Sequence, residues 1–330
     1  MISHQINKGL KGNPIIPGDK SISHRSIIIP SISNGVCEVN NYLKSDDVIN
    51  TLNAFTDMGV KIEEKNNKML IHGKGLNSLK KPKKGIYLGN SGTSARLLTG
   101  LLASQNFSSV LTGDSSLSSR PMKRIAEPLE KMGAEILTKE GKMPINIIGK
   151  ELLNNEIDIV IPSAQIKSGL MLAALNTKGV TTILEHNITR DHTEIMLESF
   201  EADILIKKEN EKKIKKINGK KELKSRNIEV PCDLSSSAFF IVAALINYNS
   251  HIILQNVNIN PTRNGILIAL KKMGAKLNFL NKRQSNNEEI CDIEVISSEL
   301  NGCDLDSDIS KLMIDEYPIL SIAASFANSP

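Results

Sequence analysis

The chain has 330 residues, a net charge of +5, 40% apolar and 23% charged residues, and 3% aromatics with no Trp. That length is enough for two domains with a large core. The charge is too small to argue for nucleic acid, and the scarcity of aromatics counts against a single-strand binder built on base stacking.

The first residues, Met1-Ile2-Ser3-His4-Gln5, lack the basic and apolar stretches of a signal peptide. No run approaches the roughly 18 apolar residues of a membrane span. Cys37, Cys232, Cys291 and Cys303 have no CxxC spacing and no nearby His in a zinc pattern. They read as reduced, mostly buried thiols of a cytoplasmic protein.

In chain order, a polar cluster followed by an apolar, helix-like run recurs at Lys20 to Ser33, Ser91 to Ala103, Ser163 to Leu175, Asp233 to Ile246 and Asp315 to Ala327. The first four starts are about 70 residues apart. Between them lie amphipathic helices that give way to strands, at Leu52, Pro128, Met196 and Leu267. In three of these Gly59, Gly133 or Gly274 follows the last turn, where a left-handed cap residue is wanted. Each repeat thus reads strand, helix, strand, helix, strands. The segment Gly113 to Met122 reads as a turn leading to a helix that Pro121 can open and that runs through Glu130. The Lys-rich stretch Lys207 to Lys224 reads as a solvated hairpin.

The polar clusters carry the chemistry. Gly18 to Arg25 opens the first apolar helix, Gly89 to Arg96 the second, Pro162 to Ser168 the third and Pro231 to Ser237 the fourth. Capping needs only one Ser, Thr, Asp or Asn. It does not call for Lys20, Arg25 or Arg96, whose charge in or near a first turn opposes the helix dipole. A bound anion removes that conflict, because helix N-termini suit phosphate and carboxylate. A P-loop fails: Asp19 separates Gly18 from Lys20, and the first Gly of the motif is absent.

The segments PGDKSISHR from Pro17, GNSGTSARLL from Gly89, GDSSLSSRPM from Gly113, SAQIKS from Ser163, TRDHTEIML from Thr189, NPTRNG from Asn260 and IDEYPIL from Ile314 resemble, in this order, those of the 5-enolpyruvylshikimate-3-phosphate synthases. The resemblance implies an α/β fold of two domains, each an inside-out α/β barrel of three βαβαββ units. A central domain would span residues 19–228, and 1–18 with 229–330 would form the other. Six units of this size need more residues than are present. The expectation is therefore a C-terminally truncated sequence with an incomplete second domain that lacks some of the family's catalytic residues, which leaves its activity alone open.

The family's reaction moves the enolpyruvyl group of phosphoenolpyruvate to the 5-hydroxyl of shikimate 3-phosphate and releases phosphate, with no cofactor or metal. By resemblance Lys20 bridges both substrates, and Ser21 and Arg25 hold the carboxylate side of shikimate 3-phosphate. Asn90, Gly92 and Thr93 line the phosphoenolpyruvate pocket, and Arg120 grips its phosphate. Ser163, Ala164, Gln165 and Arg190 bind shikimate 3-phosphate, mainly its phosphate, with Gln165 touching both ligands. Asp315 accepts or orients the proton of the attacking hydroxyl, and as a residue it also reads as a helix N-cap before Pro318. The expected partners are these two metabolites, with no nucleic acid or membrane, and the expected state is a monomer. The alternatives are a non-catalytic fragment of the same fold and the related transferase acting on UDP-N-acetylglucosamine. That family has Lys-Asn where this chain has Lys20-Ser21, and a loop Cys that Gly113 to Arg120 lacks.

Overall fold

The structure is a computed structural model, and it describes residues 8–65, 68–209 and 212–328. The signal-peptide reading of Met1 to Gln5 falls outside them. Two compact units emerge, residues 20–230 and residues 1–19 with 231–330.

Strand β1 (Lys11–Gly12) belongs to the second of these, and the larger unit begins at α1 (Lys20–Ser31). Its first repeat continues through β2 (Asn34–Asn40), α2 (Asp46–Asp57), β3 (Lys61–Lys65) and β4 (Lys68–Lys74). The second comprises β5 (Ile86–Tyr87), α3 (Gly92–Ala103), β6 (Ser108–Thr112), α4 (Ser115–Ser119), α5 (Lys123–Glu130), β7 (Glu135–Lys139) and β8 (Lys142–Ile148). The third is β9 (Glu156–Ile159), α6 (Ala164–Leu175), β10 (Val180–Glu185), α7 (His192–Ser199), β11 (Ile204–Glu209) and β12 (Lys212–Asn218). Strand β13 (Ile228–Glu229) then pairs parallel with β2 and supplies the missing first strand of the first repeat.

The three sheets share one plan, β13-β2-β4-β3, β5-β6-β8-β7 and β9-β10-β12-β11. In each, the first pair is parallel and the other two are antiparallel. Strand burial alternates, as in β8, so each sheet has one wet and one dry face. The dry faces enclose α1, α3 and α6, which are buried almost all round. This explains why those helices read as apolar runs rather than as stripes. Helices α3 and α6 meet backbone to backbone, since a Cβ on Gly100 would sit 1.9 Å from Gly169 O. That approach sets their N-terminal turns side by side.

The smaller unit continues with α8 (Leu234–Ile246), β14 (His251–Asn258), α9 (Gly265–Lys272), β15 (Lys276–Ser285) and β16 (Glu288–Ile296). Its sheet, β1-β14-β16-β15, repeats the same plan. It closes with α10 (Ser307–Lys311), a 3₁₀ turn (Ile314–Glu316) and α11 (Tyr317–Ser325), which packs on α8. No helix among the described residues is long and apolar enough to cross a membrane.

The helix-to-strand switches use left-handed residues at Gly59, Gly133 and Gly274, with φ of 87°, 85° and 92°. In the third repeat Glu201 takes this position at φ 61°, so the motif survives without its glycine. Three expectations need correction. Residues 115–119 form a short helix rather than a plain turn, because Asp114 caps it by accepting from Leu117 N at 2.7 Å. The helix after Pro121 opens at Lys123. The Lys-rich stretch is a hairpin of β11 and β12, but it is not solvated throughout, since Lys215 is fully buried. All four cysteines are free, and only Cys303 is exposed.

Candidate active site

Within the larger unit the starts of α1, α3 and α6 carry most of the residues singled out from sequence. Lys20 opens α1 with its ammonium half exposed, 3.6 Å from Asp47 Oδ2. Arg25, one turn further on, is 3% exposed. It donates from Nη1 to Ser21 O at 2.8 Å, from Nε to Thr193 Oγ1 at 2.6 Å, and from Nη2 to Ser168 Oγ at 2.8 Å. A buried guanidinium demands such acceptors. They tie α1 to α6 and α7 and fix the plane of the group.

Ser91 caps α3 and Ser163 caps α6, each accepting a first-turn N–H. Between these caps Arg96 Nη1 donates to Gln165 Oε1 at 2.6 Å, and Gln165 Nε2 donates to Thr93 Oγ1 at 3.1 Å. Arg120 donates to Asn90 Oδ1 and, at 3.5 Å, to Ser116 Oγ. Gly92 sits in the middle of this group. A Cβ there would lie 2.8 Å from Arg96 Nη1 and 2.9 Å from Arg120 Nη1, with Gln165 Oε1 at 4.0 Å. Two guanidinium groups therefore crowd the side-chain position of the first residue of α3. Burial, and then the charges of Arg120 and Arg124, push the Arg96 guanidinium below its ordinary value. An arginine stays charged regardless, so an anion bound against both guanidinium groups would relieve the repulsion.

Arg190 is half buried and precedes α7. The residue before it, Thr189, donates its N–H to Glu185 Oε1 at 3.0 Å. Ser163, Ala164 and Gln165 begin α6 and are all half buried.

In the smaller unit Asp315 lies exposed in the 3₁₀ turn, and the N-cap of α11 is Glu316, not Asp315. The turn shortens the helix by one residue relative to the sequence reading. Glu316 is buried and accepts from Ser235 Oγ at 2.5 Å. Ser235 Oγ in turn accepts from Arg263 Nη2 at 2.7 Å. Arg263 is 3% exposed and pairs with Asp19 and, at 3.0 Å, with Asp233. Burial alone would lower Arg263, but Asp19 and Asp233 outweigh it and hold the guanidinium above its ordinary value.

The structure thus brings Asn90, Gly92, Thr93, Arg120 and Gln165 into one bonded group through Arg96, while Ser21 and Arg25 belong to a second group with Ser168 and Thr193. Arg96 was legible as an anion candidate but not as the partner of Gln165. Arg124, Ser168, Thr193 and Arg263 were missed. Lys167 gave a signal that went unused, since it is a lone Lys inside an otherwise apolar helix.

Repeated βαβαββ sheets around buried helices, with arginines gathered at the helix starts, define an α/β protein of repeated units. The chain belongs to the EPSP synthase family: the family model described as EPSP synthase (3-phosphoshikimate 1-carboxyvinyltransferase) matches residues 4–330. A 3-phosphoshikimate 1-carboxyvinyltransferase of Ruthia magnifica subsp. Calyptogena magnifica is 49% identical over 319 residues, covering 96% of this chain and 72% of the relative. One from Legionella pneumophila subsp. pneumophila is 47% identical, with 96% and 73% covered. The solved EPSP synthase from Acinetobacter baumannii superposes with a TM-score of 0.89 at 47% identity, covering 97% of this chain and 73% of that one. The fold is that of the enolpyruvyl transferases.

Proposed function

We propose that this chain carries the activity after which its relatives are named, 3-phosphoshikimate 1-carboxyvinyltransferase, moving the enolpyruvyl group of phosphoenolpyruvate to the 5-hydroxyl of shikimate 3-phosphate. The observation that supports the site assignment is the pair of guanidinium groups, Arg96 and Arg120, whose Nη1 atoms both lie within 3 Å of where a Gly92 side chain would begin. Both substrates bear a phosphate and a carboxylate, so their binding needs several fixed positive charges.

The proposed division of labour carries over the roles that the family resemblance implies. Arg120, Gly92, Asn90 and Thr93 take phosphoenolpyruvate, with its phosphate between Arg120 and Arg96. Gln165 is oriented by Arg96 and Thr93 and presents its amide to both ligands. Ser163, Ala164 and Arg190 take the phosphate of shikimate 3-phosphate, while Ser21 and the fixed Arg25 serve its carboxylate side. Lys20 bridges the two substrates. In the reaction carbon 3 of phosphoenolpyruvate gains a proton and the 5-hydroxyl oxygen attacks carbon 2. The tetrahedral adduct then loses phosphate as carbon 3 gives its proton back. Asp315 is proposed to accept the hydroxyl proton. Guanidinium groups that hold the phosphate before transfer also stabilise it as it leaves.

The test is phosphate release by the purified protein supplied with both substrates, together with calorimetric binding of shikimate 3-phosphate to this chain. Phosphate release only when both are present, and saturable binding lost in Arg190→Ala, are expected. Absence of any binding of shikimate 3-phosphate would overturn the reading.

A further inference from the structure

Helix α6 carries one lysine, Lys167, and its side chain is 1% exposed. Its Nζ lies 3.0 Å from Glu185 Oε1 and 2.8 Å from Glu194 Oε1. Lys215, fully buried on β12, pairs with Glu185 and lies 4.0 Å from Glu194. Two cations and two carboxylates balance one another beneath the protein surface. Apolar residues of the same shape usually stabilise a core at least as well as such a group. Its presence here therefore calls for something beyond stability.

What the group holds is Thr189. Glu185 Oε1 accepts the Thr189 N–H at 3.0 Å and its Oγ1–H at 2.5 Å. Lys167 Nζ donates to Thr189 O at 3.4 Å. The N–H, the carbonyl and the side chain of Thr189 are all bound to the buried ions, and the next residue is Arg190. On the far side Asp191 Oδ2 is 3.7 Å from Lys213 Nζ. The next position on α6, Ser168, accepts from Arg25 and shares a 2.6 Å hydrogen bond with Thr193. Lys167 and Ser168 thus tie two arginine-bearing segments to the first turns of one helix.

We propose that the cluster of Lys167, Glu185, Glu194 and Lys215 positions Arg190 for the phosphate of shikimate 3-phosphate, through Thr189. None of the four touches substrate; they are positioning residues. The inference rests on the reading above that Arg190 takes that phosphate. By cancelling one another's charge, the four leave Arg190 and the N-terminus of α6 as the groups that attract the anion.

The experiment compares the native chain with Thr189→Val, Thr189→Ser and the charge-balanced pair Lys167→Met/Glu194→Gln. Calorimetry gives affinities for shikimate 3-phosphate and for shikimate, which lacks the phosphate. Hydrogen exchange reads residues 187–191. Thr189→Val is expected to weaken shikimate 3-phosphate on the order of tenfold and shikimate less than twofold. Thr189→Ser is expected to restore native affinity, and exchange over 187–191 should rise in Thr189→Val and in the paired variant. Equal weakening of both ligands would mark a general structural effect and overturn the proposal. So would unchanged phosphate-dependent affinity, or unchanged exchange. A native chain that binds no shikimate 3-phosphate would overturn the functional reading, and this inference with it. Tight native binding with an indifferent Thr189→Val would overturn this inference alone.

Discussion

Arg96 donates to Gln165 across 2.6 Å, and this bond, with the one from Gln165 to Thr93, joins the starts of α3 and α6. It fixes which end of the Gln165 amide points where, since Oε1 is taken by Arg96 and Nε2 turns to Thr93. It also brings a second guanidinium close to Arg120. The first prediction concerns this pair. Inorganic phosphate should raise the melting temperature of the native chain. At ten times its Kd the gain is about 1.4 kcal/mol by mass action. Arg96→Ala and Arg120→Ala should each abolish most of that shift. In active enzyme each should lower kcat/KM on the order of 10²-fold, because a charge-assisted contact to phosphate is lost. Differential scanning calorimetry with and without phosphate checks the binding half. A full shift in both variants would remove the anion site from this location.

Gly92→Ala separates crowding from charge. Gly92 opens α3 and has no left-handed φ, so alanine fits its backbone, with a helix-propensity gain smaller than that of a helix interior. The new Cβ would meet only the ends of Arg96 and Arg120, at 2.8 and 2.9 Å. Those ends can swing away without disturbing the core. The expected outcome is unchanged or slightly higher thermal stability, with KM for phosphoenolpyruvate raised about tenfold or more and affinity for shikimate 3-phosphate weakened much less, since only the Arg96 bond to Gln165 is disturbed. If KM for phosphoenolpyruvate stays native, Gly92 does not line that pocket.

The repeat was legible because it follows from two local rules, apolar periodicity and a left-handed residue after each amphipathic helix. Both survive in the coordinates even where Glu201 replaces the glycine. The arginines at helix starts were legible because their charge contradicts the helix dipole. Partners were harder to read. Nothing local links Arg25 to Thr193, or Lys215 to Glu185, since those pairs form only when α1, α7, β10 and β12 pack. Lys215 sits in a run of lysines that alternates in and out of the sheet, and a period of two in a charged stretch looks like a solvated face. Arg263 was hidden for the same reason, its carboxylates Asp19 and Asp233 coming from distant sequence.

Helix α8 differs from its counterparts in the larger unit. Helices α1, α3 and α6 are buried almost all round, whereas α8 leaves Phe239 57% and Phe240 41% exposed. Its neighbour α11 exposes Ile322, and Phe326 just past its end is exposed too. Apolar surface of this kind attracts hydrophobic dyes. The 330-residue chain should bind 1-anilinonaphthalene-8-sulfonate in its folded state. Phe239→Ser/Phe240→Ser should reduce the emission severalfold while changing stability by about 1 kcal/mol or less, because exposed side chains contribute little to the core. Equal emission from both proteins would show that α8 is covered in solution.

The buried ions make a prediction about acid. Burial by itself would raise Glu185, but Lys167 and then Lys215 outweigh it and hold the carboxyl below its ordinary value. A carboxyl depressed in the folded state binds its proton more weakly there than in the unfolded chain. Its contribution is therefore fully present above the unfolded value, about 4.3, and is lost as pH falls through the lower folded value. Glu185→Gln removes the carboxylate and leaves Lys167 and Lys215 short of a partner. At pH 7 that should cost on the order of 3–5 kcal/mol. As pH drops from about 4.3 toward the folded value, the native protein protonates Glu185 itself, and the gap between the two should narrow. Urea unfolding of both proteins from pH 7 to pH 3 measures this directly. A gap that stays constant, or widens in acid, would mean that Glu185 is not the charged partner of the two buried lysines.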